Sequence, residues 1–307
     1  KDILICNDKI IKVHKDIEIE FMPLEIIDGN GKLAVPGFID QHVHVIGGGG
    51  EGGFKTRAPE LRLSNCIKAG VTTLVGLLGT DSTTRSIENL LAKTKALNEE
   101  GITAYCLTGG YEYPSPTLTG SIKKDIVFIE EVIGVKIAIS DHRSSHITKN
   151  ELIRLASDVR TSSLIGGKPG VVHFHLGNGK EGLNIIFDIL KETDIPIKHF
   201  RPTHVKKALD QSIEFAKLGG YIDFTAGSNI EETADSILFA MEKVPNQLIT
   251  VSSDANGSSP KWNTNKEMIG IEVASMKTLH SLIQFLILEK KIDITKALAL
   301  VTSNVAQ

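Results

Sequence analysis

Eight short apolar runs rich in β-branched residues, each preceded by turn residues, recur along the chain, with stretches of helical period between most of them. The runs cover residues 38–44, 71–79, 102–108, 134–140, 170–177, 197–204, 221–226 and 248–254, and the helical stretches 86–99, 149–157, 183–192, 211–218 and 231–242. Near-continuous apolar strands separated by crossovers require a parallel sheet covered on its faces, because a tight turn cannot join parallel neighbours. Eight such units are what a (β/α)8 TIM barrel needs to close. With 41% hydrophobic residues among 307, the chain can fill a core of that size. An open doubly wound sheet is the structural alternative. Yet no Gly-x-Gly-x-x-Gly opens a helix after a strand, and the glycine run 47–53 lacks the Lys-Ser/Thr of a phosphate loop.

Ahead of the first run, residues 2–19 alternate apolar and polar side chains around turn signals at Asn7-Asp8 and Lys15-Asp16, the pattern of short antiparallel strands. The expected division is residues 1–35 as the N-terminal part of a small β-sandwich-like domain and residues 36–307 as the barrel. Net charge is -3 with Lys and Arg scattered among acids, which argues against a nucleic-acid or anionic-membrane surface. Cys6, Cys66 and Cys106 lack metal-type spacing, and the apolar run 282–288 is far shorter than the roughly 20 residues of a membrane span. The expectation is a cytoplasmic protein with reduced thiols.

Barrel enzymes place chemistry at the C-terminal ends of their strands, and few of these strands end in ionisable residues. The first ends in His42 and His44, whose i, i+2 spacing points two imidazoles to one face, suited to chelating one metal ion. The fourth carries Lys136, the fifth His175, the sixth ends in His204 and the eighth in Asp254. Each alone could be a cap or a core residue; their recurrence at equivalent positions of one barrel selects a metal site. His173, two residues earlier on the fifth strand, is read as structural. An ammonium at Lys136, among Gly134-Val135-Lys136-Ile137-Ala138-Ile139, would lose hydration and have its pKa depressed. The neutral amine could then take up CO2 as a carbamate able to bridge two cations, although a snorkelling lysine would have the same sequence.

With Asp28-x-x-Gly31, Pro36-Gly37-Phe38-Ile39-Asp40-x-His42-x-His44 and the His, His, Asp series assembled, the chain resembles the amidohydrolase superfamily. Within it the chain is similar to the isoaspartyl (β-aspartyl) dipeptidases, through Gly49-Gly50-Glu51-Gly52-Gly53-Phe54, Ser140-Asp141-His142-Arg143-Ser144, Arg201-Pro202-Thr203-His204-Val205 and Ser253-Asp254-Ala255-Asn256-Gly257-Ser258. The resemblance implies a binuclear zinc peptidase. His42 and His44 would hold one Zn2+ with Asp254, His175 and His204 the other, and carboxylated Lys136 would bridge them. A metal-bridged hydroxide would attack the β-aspartyl amide, Asp254 would move the proton to the leaving amine, and Tyr111 would stabilise the oxyanion. Gly49, Glu51 and Thr80 would hold the substrate's α-amino group, and Arg143 and Ser258 its α-carboxylate.

The same resemblance implies a homo-oligomer, an octamer. It also implies a second arginine shortly after His204, where this chain has Lys206 and Lys207, and further C-terminal strands beyond Gln307 that complete the small domain, so a truncated or partly ordered chain is expected. Two alternatives share the metal-site residues: a dihydroorotase- or hydantoinase-like enzyme acting on a cyclic amide, and a noncatalytic scaffold or binder. Glu51 separates the first, since a cyclic amide offers no ammonium for it to bind.

Overall fold

The contacts divide the chain into two units, Lys1–Pro36 and Gly37–Gln307. The computed structural model describes residues 1–19, 23–262 and 268–307. In the first unit, β1 (Asp2–Cys6) and β2 (Lys9–His14) pair antiparallel across the Asn7-Asp8 turn, where Asn7 takes the left-handed φ of 54° that Asn tolerates better than most residues.

In the second unit, eight parallel strands lie side by side in chain order: β3 (Phe38–Val43), β4 (Val71–Gly76), β5 (Thr103–Gly109), β6 (Val132–Ile139), β7 (Val171–Leu176), β8 (Phe200–Thr203), β9 (Ile222–Thr225) and β10 (Ile249–Ser252). The ends meet through a Val43–Ala255 bridge and a 2.9 Å bond from the His44 N–H to the Ala255 carbonyl. Asp40 of β3 also accepts bonds from the Ser253 hydroxyl and, at 3.1 Å, from the Ser253 N–H just past β10. This is a (β/α)8 barrel, as the eight sequence runs require.

The helices are placed by ordinary signals. Helix α1 (Leu63–Ala69) stops at Gly70, α2 (Ile87–Glu99) starts under a Ser86 cap, and α3 (Ile122–Phe128) starts under Ser121. The Thr148-x-x-Glu151 capping box opens α4 (Lys149–Gly166), and Asn229 caps α7 (Ile230–Met241), after α5 (Asn184–Glu192) and α6 (Leu209–Lys217). Helices α1 and α3, of seven residues each, are too short to show a helical period and were not expected from the sequence. Beyond β10 come a β11–β12 hairpin (Ser258–Trp262, Met268–Val273), α8 (Lys277–Leu288) and α9 (Ile294–Ala299). The apolar run 282–288 is the end of α8, which buries Leu279, Leu282, Ile283 and Leu286. No helix of the described residues is long and apolar enough to cross a membrane.

The main core contains Leu74, Val135, Ile137, Ile139 and Phe174 from the strands together with Leu152, Leu155 and Val159 of α4. Val75, Leu77 and Leu107 form a separate small cluster, consistent with an apolar lining on the β4–β5 side of the lumen. The opposite side is polar: buried Asp223 accepts bonds from Gln41 (2.7 Å), Thr203 (2.6 Å), Thr250 (2.8 Å) and Ser252 (2.6 Å). A carboxylate supplied with four donors can be kept inside a barrel. Strands β4, β5 and β9 end without a candidate ligand, as their sequences indicate.

Candidate metal centre

His42, the next-to-last residue of β3, stands beside Asp254, which lies two residues past β10, and His44 lies one residue past β3. Asp254 Oδ1 is 3.3 Å from His42 Nε2 and 3.1 Å from His44 Nε2. One ligand atom from each of the three lies within 4.8 Å of the others, the geometry of a shared cation site. Asp254 takes φ 57° at the start of the Asp254-Ala255-Asn256-Gly257 turn, and this left-handed conformation is part of what places its carboxylate beside the histidines.

His175 of β7 and His204, one residue past β8, stand alongside. Their ring centroids are 4.5 Å apart, and His204 is 5.1 Å from His42. His204 also takes a left-handed φ, 61°. The amine of Lys136, fully buried, lies 3.2 Å from His42 Nε2. Burial pulls its pKa from 10.5 down to about 7.

The protonation pattern fits a metal site. Burial, then the Lys136 charge, pushes His42 down to about 3, and burial pushes His175 to about 3 despite the bond to Asp141. These rings are neutral at pH 7 and keep a lone pair. For Asp254, burial favours the neutral acid, but bonds from His42 and His44 outweigh it and hold the carboxyl well below its usual range. In three histidines one ring nitrogen is engaged by a fixed partner. His42 Nδ1 meets His173 Nε2 at 2.8 Å, His175 Nε2 meets Asp141 Oδ2 at 3.0 Å, and His204 Nδ1 meets the Thr225 hydroxyl at 2.6 Å. The His204 Nε2 is buried with no partner, an orphan that a cation would satisfy. The donor set, four imidazoles, a carboxylate and an amine that burial brings close to neutrality, suits divalent zinc.

The structure brings Glu51, Arg143 and Ser258 together: Glu51 Oε1 is 3.3 Å from Arg143 Nη1 and accepts a 2.8 Å bond from the Ser258 hydroxyl. Arg143 lies 5.3 Å over the Tyr111 ring, and the Tyr111 hydroxyl is 2.6 Å from His175 Nδ1. Burial raises the Tyr111 pKa, so its phenol stays protonated. Gly49 takes φ 80°, and a Cβ there would come within 2.2 Å of the Thr56 carbonyl, so only glycine fits. Thr80 follows Gly79, which packs against the His44 ring, but makes no side-chain hydrogen bond among the described residues.

Sequence reasoning missed Asp141 and Thr225, and took His173 for a purely structural residue although it bonds His42. It also missed Arg85, whose buried guanidinium donates to the carbonyls of Ile46, Gly48 (3.0 Å) and Ala58 (3.0 Å) and so fixes the glycine-rich loop. Each acts by holding another residue, and Thr225, although the last residue of β9, has no ionisable side chain for the strand-end pattern to register. The signal for Asp141 was its position two residues before Arg143.

A (β/α)8 barrel with imidazoles, a lysine and an aspartate gathered at the C-terminal mouth is the architecture of the amidohydrolase class. No protein-family model matches the chain. A solved structure of the β-aspartyl dipeptidase from Fervidobacterium islandicum AW-1, in complex with the β-Asp-Leu dipeptide, is 49% identical with a TM-score of 0.85, and the match covers 88% of this chain and 74% of that one. An amidohydrolase from Mycoplasma synoviae, at 17% identity and a TM-score of 0.61, shares the fold. Among curated proteins, the dihydroorotase of a Listeria innocua strain is 27% identical over 284 residues, covering 86% of this chain and 61% of that protein; a Listeria monocytogenes dihydroorotase match covers 46% of its length. The chain thus spans less than two thirds of these curated relatives. It belongs to the β-aspartyl dipeptidase family of amidohydrolases.

Proposed function

We propose that this chain binds two zinc ions and hydrolyses β-aspartyl dipeptides. The observation that carries the reading is the Glu51–Arg143–Ser258 cluster, a carboxylate and a guanidinium 3.3 Å apart and close to the metal-ligating histidines. A β-aspartyl dipeptide carries an ammonium beside a free α-carboxylate. Glu51, with Gly49 and Thr80, takes the ammonium, and Arg143 with Ser258 takes the carboxylate, so a zwitterion replaces one internal ion pair by two complementary ones. Dihydroorotate has no ammonium and would leave Glu51 facing a neutral ring.

In this reading His42, His44 and Asp254 would hold one ion, and His175 and His204 the other. Lys136, once its neutral Nζ had bonded to the carbon of CO2 and lost a proton, would offer both a carbamate. The metal pair supplies, when bound, an activated water and a polarised scissile carbonyl at neutral pH. Asp254 takes the proton from the attacking water and returns it to the leaving amine. The protonated Tyr111 hydroxyl donates to the carbonyl oxygen as charge develops there. Lys207, whose charge interacts with Asp141 and Asp254, supplies a second cation on the carboxylate side, where the family resemblance implies an arginine. The enzyme works as a cytoplasmic homo-oligomer, in keeping with its three free thiols.

The test is zinc-loaded turnover of β-Asp-Leu, α-Asp-Leu and dihydroorotate side by side. Cleavage confined to β-Asp-Leu is expected; turnover of dihydroorotate alone would transfer the site to cyclic amides.

A further inference from the structure

Asp141 is buried, at 5% exposure, in a loop that carries Arg143 two residues later. Its Oδ2 is 2.8 Å from Arg143 Nη2 and 3.0 Å from His175 Nε2, and its Oδ1 accepts from Arg143 Nε at 2.9 Å and from the Arg143 N–H at 2.8 Å. One carboxylate therefore makes a bidentate clamp on the guanidinium and a bond to an imidazole. His142 Nδ1 lies 3.6 Å from Oδ1.

The backbone holds this carboxylate in register with β7. Ser140 takes φ 52°, its carbonyl accepts a 2.6 Å bond from the Gly179 N–H, and its hydroxyl accepts one from the Gly182 N–H at 2.9 Å. Gly177, two residues after His175, packs so tightly that a Cβ there would come within 2.4 Å of the Asp141 Cβ. The segment that carries His175 is thus also the shelf on which Asp141 rests.

We propose that Asp141 is a positioning residue that sets His175 and Arg143 together, so that one carboxylate governs both ion binding and recognition of the substrate's α-carboxylate. The Arg143 half rests on the dipeptidase reading above. An ionised carboxylate only accepts hydrogen bonds, so it fixes the proton of His175 on Nε2 and keeps the lone pair on Nδ1, where it accepts from the Tyr111 hydroxyl at 2.6 Å and where a cation would take that hydroxyl's place. The same charge holds Arg143 through Nε and Nη2, so that only Nη1 reaches Glu51, at 3.3 Å, and can be redirected to a substrate carboxylate. An asparagine can turn its NH2 toward Nε2, which moves the imidazole proton to Nδ1 and abolishes that lone pair.

The experiment starts from the zinc-loaded full chain and follows zinc transfer to a competing chelator, with β-Asp-Leu kinetics on the same preparations. In Asp141→Asn, one of the two ions is expected to be held about 10–100-fold more weakly, and KM is expected to rise more than kcat falls once zinc is in excess. Arg143→Met should raise KM while leaving zinc transfer at the wild-type rate. Gly177→Ala, which displaces the carboxylate without changing its chemistry, should shift both readouts in the same direction as Asp141→Asn. A loss of folding stability alone would move neither zinc occupancy at one site nor the KM-to-kcat split. Wild-type zinc transfer in Asp141→Asn, or a zinc defect with an unchanged KM, overturns the inference. If the wild-type chain cleaves no β-Asp-Leu, the dipeptidase reading fails and the zinc-transfer difference alone decides the link between Asp141 and His175.

Discussion

Replacing Lys136 by methionine in the metal-free protein should remove a pH dependence of stability that only this side chain supplies. The amine is fully buried and its pKa falls from 10.5 to about 7. The unfolded chain therefore holds more protons than the folded one between those values, and stability rises with pH through that window. The penalty of burying the ammonium is largest below pH 7 and is lost as pH approaches 10.5. Integrated from pH 7 to 9, the gain is about 2 kcal/mol. Asp40, pushed up to about 7 by burial, and the buried thiols of Cys66 and Cys106, pushed up to about 11 and about 12, titrate in both proteins and cancel in the comparison. Urea denaturation in CO2-depleted buffer with a metal chelator, at pH 7, 8 and 9, gives both curves. Wild type should gain about 2 kcal/mol relative to Lys136→Met across that range. Parallel curves would refute the claim that an unpaired amine is buried there, and with it the reason for expecting its reaction with CO2.

Two further substitutions probe the recognition loop. Glu51→Gln keeps the shape but not the charge, so kcat/KM for β-Asp-Leu should fall about 10–100-fold, with two zinc ions still bound; an N-acetylated dipeptide should be an equally poor substrate for both proteins, and any preference of wild type for it would contradict the ammonium role. Arg85→Met leaves the carbonyls of Ile46, Gly48 and Ala58 without their donor, a loss of about 2–4 kcal/mol in urea unfolding with new proteolytic cleavage within residues 46–58. An unchanged digestion pattern would show that the loop keeps its shape without Arg85.

The barrel was legible because eight buried strands leave a periodic apolar signal, and the candidate ligands were legible because barrel geometry puts such residues at strand ends. The structure brings His42, His44, His175, His204 and Asp254 near one another there. Strand ends were read too long: the run 71–79 gives β4 only as far as Gly76, with Leu77 and Leu78 buried beyond it. Helices of seven residues carry too little periodicity to register. The positioning partners were the hardest to read. Asp141, Thr225 and Arg85 act through contacts between segments far apart in sequence, and His173 resembles a core histidine until its 2.8 Å approach to His42 is known. Glu51 and Arg143 lie 92 positions apart, and the family resemblance, not spacing, assigned them to one site.

Diffraction at the zinc absorption edge from crystals of the zinc-loaded chain tests the central claim most directly. The account predicts two anomalous peaks per chain, one among His42, His44 and Asp254 and one between His175 and His204, with density for a carbamate on Lys136 between them. A single peak, or a lysine amine that remains unmodified beside two ions, would contradict it.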